Sequence, residues 1–335
     1  MEIRRVQMTG GSSYIITLPK EWVKTMNICK NDPIGLLQQS DGTLLITQKT
    51  DKEPIKKQRT FTVETGKNEE FLFRELIGAY ISGYNSVKII SKPRMHPPIR
   101  KTIRKYIQTT IGQEVVEETD SSITVKDLLN PAEMPLHRTI KRMHIIVRSM
   151  YEDAIKALIE KDKQLAEDVM TRDAEIDRLH WLIARQHRII QHNISFVEKM
   201  KITVDTATTS YLISRIIERI GDHVNKIAHQ IEVLIDKNIK EEIILKIEQA
   251  KNESLGLLSK AIGSFTKREI SEANETIEGS RQLAILCEEL DRLALDYDAP
   301  TAISIGIIVD SIRRISDYAE DISESVINHL IGEGK

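Results

Sequence analysis

The 335-residue chain predicts a multidomain fold: an N-terminal β domain of short hairpins, a small α+β domain, and a C-terminal all-α region of tandem three-helix bundles. Three observations carry this. A stretch of sequence occurs twice, Ile217 to His229 and Ile312 to Glu324, each inside a long segment of helical period. Strand-like alternation broken by glycine turns fills Met1 to Gln48. Strand and helix periods then alternate from Arg59 to Lys126. The boundaries expected are 1–48, a linker 49–58, 59–135, 136–238 and 239–335.

The first domain reads as two hairpins around a short helix. Arg4 to Thr9 and Tyr14 to Leu18 flank a Gly10-Gly11-Ser12-Ser13 turn, and Pro19 opens a helix from Lys20 to Met26. Ile34 to Gln39 and Thr43 to Thr47 flank Asp41-Gly42, a strong hairpin turn signal. So small a unit cannot bury a stable core alone, so a second copy of the chain is expected to complete it. The run from Gly10 to Val23, followed by Asn31-Asp32-Pro33-Ile34, resembles the SpoVT-AbrB swapped-hairpin DNA-binding family. That resemblance implies two interleaved copies presenting basic residues to a duplex, at Arg4, Arg5, Ser12, Ser13, Lys20 and Lys24. Basic residues in this domain (Arg4, Arg5, Lys20, Lys24, Lys30) barely outnumber acids (Glu2, Glu21, Asp32, Asp41). Position rather than bulk charge carries the signal, and a role in dimerisation alone is the plainer alternative.

Lys49 to Arg59 is polar and lysine-rich, as a linker is. After it come a strand from Arg59 to Glu64, a helix from Asn68 to Tyr84, a strand from Ser86 to Ser91 and a helix from Pro97 to Ile111. A hairpin, Gln113 to Glu118 and Ser122 to Lys126, turns at Asp120-Ser121. From Lys88 to Gln113 seven Lys and Arg residues occur and no acid. Arg100 with Arg104, and Lys101 with Lys105, stack one helical turn apart, so an anion or a nucleic-acid backbone could dock there. A solvated basic helix face explains the same pattern.

Six helical segments follow, Leu136 to Glu160, Lys163 to His192, Thr203 to Asp236, Glu241 to Lys267, Glu269 to Asp296 and Pro300 to Ile331. Short loops make sequential helices antiparallel, giving two up-down-up bundles. At about 100° per residue, Ile213, Ile220, Val224, Ile227 and Ile231 share one side of the first repeat, with Glu218, Asp222, Asn225 and His229 opposite. In the second repeat Asp310, Asp317, Glu320 and Glu324 lie opposite the apolar side. Any surface helix shows such a stripe. However, Glu-Arg-Ile-Gly-Asp followed by His-Val-Asn-Lys-Ile-Ala resembles the signature of the PhoU family of phosphate-signalling proteins.

That resemblance covers Leu136 to Leu330 and implies that Glu218 and Asp222 ligate metal. Oxygen-only ligation suits Mg, Mn, Ca or oxidised Fe better than Zn. In the second copy Arg313 stands where the motif has an acid, leaving Asp317 with Asp310 and Glu320 as substitutes. Asp173 and Asp177 form a similar pair on the preceding helix, where a solvated face is the simpler expectation. Joining the two domain types resembles archaeal PhoU-family regulators. It implies a homodimeric, DNA-binding transcriptional regulator of phosphate uptake with a metal-binding sensor domain. The alternative it leaves is an adaptor acting on a phosphate-transporter ATPase or a sensor kinase.

Composition argues against other classes. A net charge of −2 excludes a basic nucleic-acid coat. Two cysteines, Cys29 and Cys287, make neither a disulfide framework nor a zinc site. The absence of a signal peptide and of a membrane-length apolar run points to a cytoplasmic protein without membrane insertion. No Glu-x-x-His, phosphate-cradling glycine loop or nucleophile elbow occurs, so an enzyme is not expected. His180, His187 and His192 do not share one face and are expected at the surface.

Overall fold

The computed structural model describes residues 2–38, 42–48, 57–64 and 66–334, with backbone only at Leu37, Ile194 and Ser195. Asp41 of the expected turn and 49–56 of the expected linker lie outside the described residues. The chain divides into two compact units, Met1–Ile55 and Lys56–Lys335.

In the first unit β1 (Gln7–Thr9) pairs antiparallel with β2 (Ser13–Ile15). The turn between them needs Gly10 and Gly11, both at positive φ, which costs glycine nothing. Helix α1 (Lys20–Thr25) follows Pro19, and β3 (Gly35–Gln38) pairs with β4 (Leu44–Thr47). The strands are shorter than the periodicity suggests, yet each expected element is present. Among the described side chains of this unit none is buried, and Ile3, Met8, Tyr14 and Leu36 are mostly exposed. Met8 and Tyr14 pair on one face of the first hairpin, while successive apolar residues at Leu44-Leu45-Ile46 make both faces of the second apolar, and among the described side chains of this unit none is fully covered.

The second unit opens with a four-stranded sheet ordered β5-β6-β8-β7. Its strands are β5 (Gln58–Val63), β6 (Ser86–Ser91), β7 (Gln113–Glu118) and β8 (Ser122–Asp127). Only β5 and β6 run parallel, joined by helix α2 (Glu69–Ile81), whose start is capped by Asn68 accepting the Phe71 amide. Helix α3 (Pro97–Thr109) covers the same core, in which Leu72, Leu76, Tyr80, Ile89, Ile103, Tyr106 and Val125 are buried.

The helical region comprises α4 (Leu136–Glu160), α5 (Lys163–His192), α6 (Ile194–Met200), α7 (Val204–Leu234), α8 (Glu241–Lys267), α9 (Ile270–Ala294) and α10 (Ala299–Gly332). The six long helices stand where the period places them; one further helix among the described residues, α6, of about two turns just after Asn193, is not anticipated. Helix α4 packs on α5 and α7, and α10 packs on α8 and α9. One continuous core runs through both bundles, because α7 also packs on α10 and α4 on α8. The periodic Ile positions of both repeats, among them Ile220, Val224, Ile227, Ile308, Ile315 and Ile322, are fully buried. Each such side chain contributes roughly 1.5–3 kcal/mol of transfer free energy. Among the described residues no helix is long and apolar enough to cross a membrane.

The middle sheet is tied to the first bundle by a charge that the sequence does not advertise. Arg185 of α5 is buried; it donates to the backbone carbonyls of Tyr80 and Tyr84 and to Asp127 Oδ2 at 2.7 Å. Burial raises the Asp127 pKa while the guanidinium beside it pulls back down. Such a pair adds little net stability over apolar packing, but losing one member strands the other in the core.

Candidate metal centre

Gly221 sits in the middle of α7, buried against α5. A Cβ there would lie 2.8 Å from Ile176 Cδ1 and 3.2 Å from Asp173 Oδ1. A helical glycine costs about 1 kcal/mol relative to alanine, and here that cost brings two helices close enough to join their acids. Asp173 and Asp177 of α5 thereby face Glu218 and Asp222 of α7. Asn225 Nδ2 donates to Asp173 Oδ2 at 2.9 Å, fixing the register between the helices.

Three of the four carboxylates are shifted by burial and by their neighbours. Glu218 is pushed up to about 7, by burial first and then by Asp222 and Asp177. Asp177 is pushed up to about 6 by burial, Asp173 and Asp222. Asp222 is raised by burial and by Asp173, with Lys226 and Arg219 opposing. Among the described residues none of the four makes an ion pair within 4.0 Å. The solvated-face expectation for Asp173 and Asp177 therefore gives way to a shared acidic seam between helices. Asn225 Oδ1, buried beside Asp173, has no hydrogen-bond partner. Unneutralised carboxylates plus an orphaned amide oxygen fit a hard cation. As placed, no three His, Cys, Asp or Glu side chains among the described residues converge on one point, so closure on an ion requires side-chain rotation.

The second repeat is different. Arg313 donates to Asp291 Oδ2 of α9 at 2.7 Å, and Glu320 accepts from Ser280 Oγ at 2.7 Å. Asp317 is raised by burial and Glu320 but lowered by Arg314 and Arg313. Asp310, expected beside Asp317, instead acts on Arg313 and His223. The two share a face of α10, but seven residues set them about two turns, roughly 10 Å, apart along the helix.

The surface placement of the histidines fails for two of three. His180 and His187 flank the ring of Tyr211 on α7, with His187 stacked at 4.8 Å, and hydrogen-bond Ser214 and Thr208. Burial pushes His180 down to about 4, so it is neutral near pH 7, and burial also lowers His187. His192 is exposed. The signal available was Tyr211 one turn from Ser214 on the facing helix, visible only once α5 and α7 are paired.

Of the nucleic-acid candidates, Arg5, Ser12, Ser13, Lys20 and Lys24 are exposed, while Arg4 pairs with Glu2. In the middle sheet Arg100 is engaged by Glu118 and the Thr119 carbonyl, and so drops out of the basic face. Lys101 and Arg104 are exposed, and Lys105 lies 4.7 Å from the centre of the Phe73 ring.

Comparison with known proteins gives this geometry a context. The PhoU domain model matches residues 140–231 and 247–326, more than half of the chain. Residues 7–58 match the model described as antidote-toxin recognition MazE, bacterial antitoxin. The chain is similar to the phosphate-specific transport system accessory protein PhoU homolog of Caulobacter vibrioides, 24% identical over 58% of this chain and 86% of that one. A Clostridium acetobutylicum homolog of the same description is 23% identical over 59% and 92%. Crystal structures of PhoU from Pseudomonas aeruginosa (TM-score 0.53) and Streptococcus pneumoniae (0.52) share the fold at 20% identity. Each covers 59% of this chain, and 96% and 94% of its own. These relatives are bacterial and lend no support to the archaeal expectation.

Proposed function

We propose, from the premise that the chain belongs to the PhoU family, that it is a cytoplasmic regulator of phosphate transport. In this reading it acts at DNA through its N-terminal unit and senses metal through its first bundle. The observation that carries it is an N-terminal unit, matched to a MazE model, with exposed Arg5, Lys20 and Lys24 and no buried side chain among those described. Such a unit needs a second chain to cover Met8, Tyr14 and Leu36, and pairing doubles its basic face. Two copies then offer the spaced phosphate contacts that a duplex takes.

The metal enters at Asp173, Asp177, Glu218 and Asp222, with Asn225 beside them. A hard cation there would supply the positive charge that this seam lacks, and Mg, Mn, Ca or Fe fits oxygen donors better than Zn.

Binding of the full chain to DNA upstream of phosphate-transport genes tests the reading, measured across salt concentrations. Replacing Arg5 and Lys20 by Ala should weaken binding and flatten the log–log salt slope by about 0.9 for each DNA phosphate that is no longer neutralised. Sedimentation of the full chain should give a dimer. Salt-independent affinity in both forms, or a monomer, overturns it. A second reading keeps the N-terminal unit for dimerisation only and makes the protein an adaptor for a transporter ATPase or sensor kinase. The description of the relatives as accessory proteins of a phosphate-specific transport system favours it.

A further inference from the structure

A second site lies away from the acidic seam, where the middle sheet meets the C-terminal end of α5. Lys57, Gln58, Ser82, Tyr84, Arg188 and His192 line a cleft of about 390 Å³. Three of the six side chains are basic and none is acidic. The remaining three bring two hydroxyls and an amide, which both donate and accept. Among the described residues Lys57, Arg188 and His192 make no ion pair, and the only hydrogen bond of the Arg188 guanidinium is a long one, 3.4 Å to Gln191 Oε1.

The walls are fixed although, among the described residues, Lys57 and Arg188 make no ion pair. Lys57 is stitched to Asn85 by its amide, at 3.3 Å to Oδ1, and by its carbonyl, which accepts the Asn85 amide at 2.9 Å. The Tyr84 carbonyl is held by Arg185 at 3.1 Å. Gly83, at positive φ, lets the end of α2 close on α5, since a Cβ there would stand 3.1 Å from Ile189 Cγ1. Ser82 and Tyr84 are thus pressed against the helical turn that carries Arg188 and His192.

Basic residues at a helix C-terminus complement its dipole, which accounts for Arg188 and His192. It does not account for Lys57, which comes from the strand side, or for the hydroxyls set among the cations. A second surface groove, between α2 and α3, places Glu69 and Glu70 opposite Lys101, Arg104 and Lys105. That groove carries both signs, whereas no acid lines the cleft at Arg188.

We propose that the cleft formed by Lys57, Arg188 and His192 binds a phosphate group, and that its ligand is inorganic phosphate. A planar guanidinium takes two oxygens of a tetrahedral anion, the ammonium a third, and the hydroxyls and Gln58 can accept the proton that distinguishes phosphate from sulfate. The oxyanion chemistry follows from the lining; choosing free phosphate over a phosphate monoester rests on the regulatory reading above. Lys57 and Gln58 are the last residues of the expected linker 49–58 and among the first of the second unit.

Equilibrium dialysis of the full chain against radiolabelled inorganic phosphate, with chelator present, tests this. One saturable site is expected, weakened at least tenfold by Arg188→Gln and by Lys57→Gln, with Lys237→Gln, an exposed lysine outside the cleft, unchanged. Arg188 and Lys57 are exposed, so neither change disturbs the core. Competition by sulfate and by glycerol 3-phosphate separates the sources: phosphate displacing label best supports the assignment, and tighter binding of the ester overturns it. Uptake that vanishes on chelation, that survives Arg188→Gln, or that never saturates also overturns it. Phosphate uptake without any DNA binding would sink the DNA-binding regulator instead and leave this site standing.

Discussion

Loading a cation into the seam of Asp173, Asp177, Glu218 and Asp222 must expel protons, and the number is set by the structure. With Glu218 at about 7 and Asp177 at about 6, at about pH 6.5 roughly three-quarters of a proton sits on the first and a quarter on the second. Binding should therefore release about one proton per ion at that pH, and less than about a tenth of one at about pH 8.5. Titration calorimetry with Mn²⁺ in two buffers of different ionisation enthalpy measures this directly. Glu218→Gln should remove most of the release and weaken binding, while leaving the helices folded because the side chain is only half-buried.

The same shifts fix the sign of the pH dependence without metal. The folded pKa of Glu218 lies above its usual value, so between about 4.5 and 7 the folded state holds the extra proton. Stability of the metal-free protein should fall as pH rises through that window, by roughly 1 kcal/mol after discounting for a half-exposed group. Saturating metal, or Glu218→Gln, should flatten the fall. Proton release near zero at about pH 6.5 would refute the argument, because it would mean that the four acids do not share one environment.

Other expectations follow from the same geometry. Asp127→Ala strands Arg185 in the core and should cost about 3–5 kcal/mol in urea unfolding, whereas Asp127→Leu with Arg185→Met should cost much less. Gly221→Ala gains about 1 kcal/mol of helix propensity but pushes on Ile176 and Asp173, for a net loss of about 1 kcal/mol and weaker metal binding. Elemental analysis should show Asp222→Ala losing more metal than Asp317→Ala; the reverse would mean the two repeats have been ranked wrongly.

The helices could be read from the sequence because Ile and Leu recur at the helical period over long, well-capped segments, and packing then only confirms what the pattern demands. Helix α6 was hidden because seven residues are too few to show a period, and Asn193 already reads as an end. The acidic seam was half visible. Glu218 and Asp222 lie one turn apart on a single helix, but nothing in an angular projection says which neighbouring helix they face. Gly221 was the unread clue, since a glycine inside a helix can admit a close neighbour, although Gly78, Gly256 and Gly306 meet none. Arg185 and Asp127 were hidden for the opposite reason: a charged residue counts as exposed until the fold supplies its partner.

Pairing the repeats through their hydrogen bonds explains why they should differ. Asn225 reaches Asp173 in the first bundle, and its counterpart Glu320 is reached by Ser280 in the second. In that register Ser280 replaces Asp173, Ala284 replaces Asp177, Arg313 replaces Glu218, and only Asp317 keeps the acid of Asp222. Asp291 replaces Ala184 in the same register, and it is Asp291 that Arg313 binds. Two acids replaced by neutral residues, a third replaced by a base, and an acid gained opposite that base make a seam neutralised from within. The first seam keeps four acids with only Lys226 and Arg219 opposing them and no ion pair within 4.0 Å among the described residues, which is why an added cation should bind at the first repeat in preference to the second.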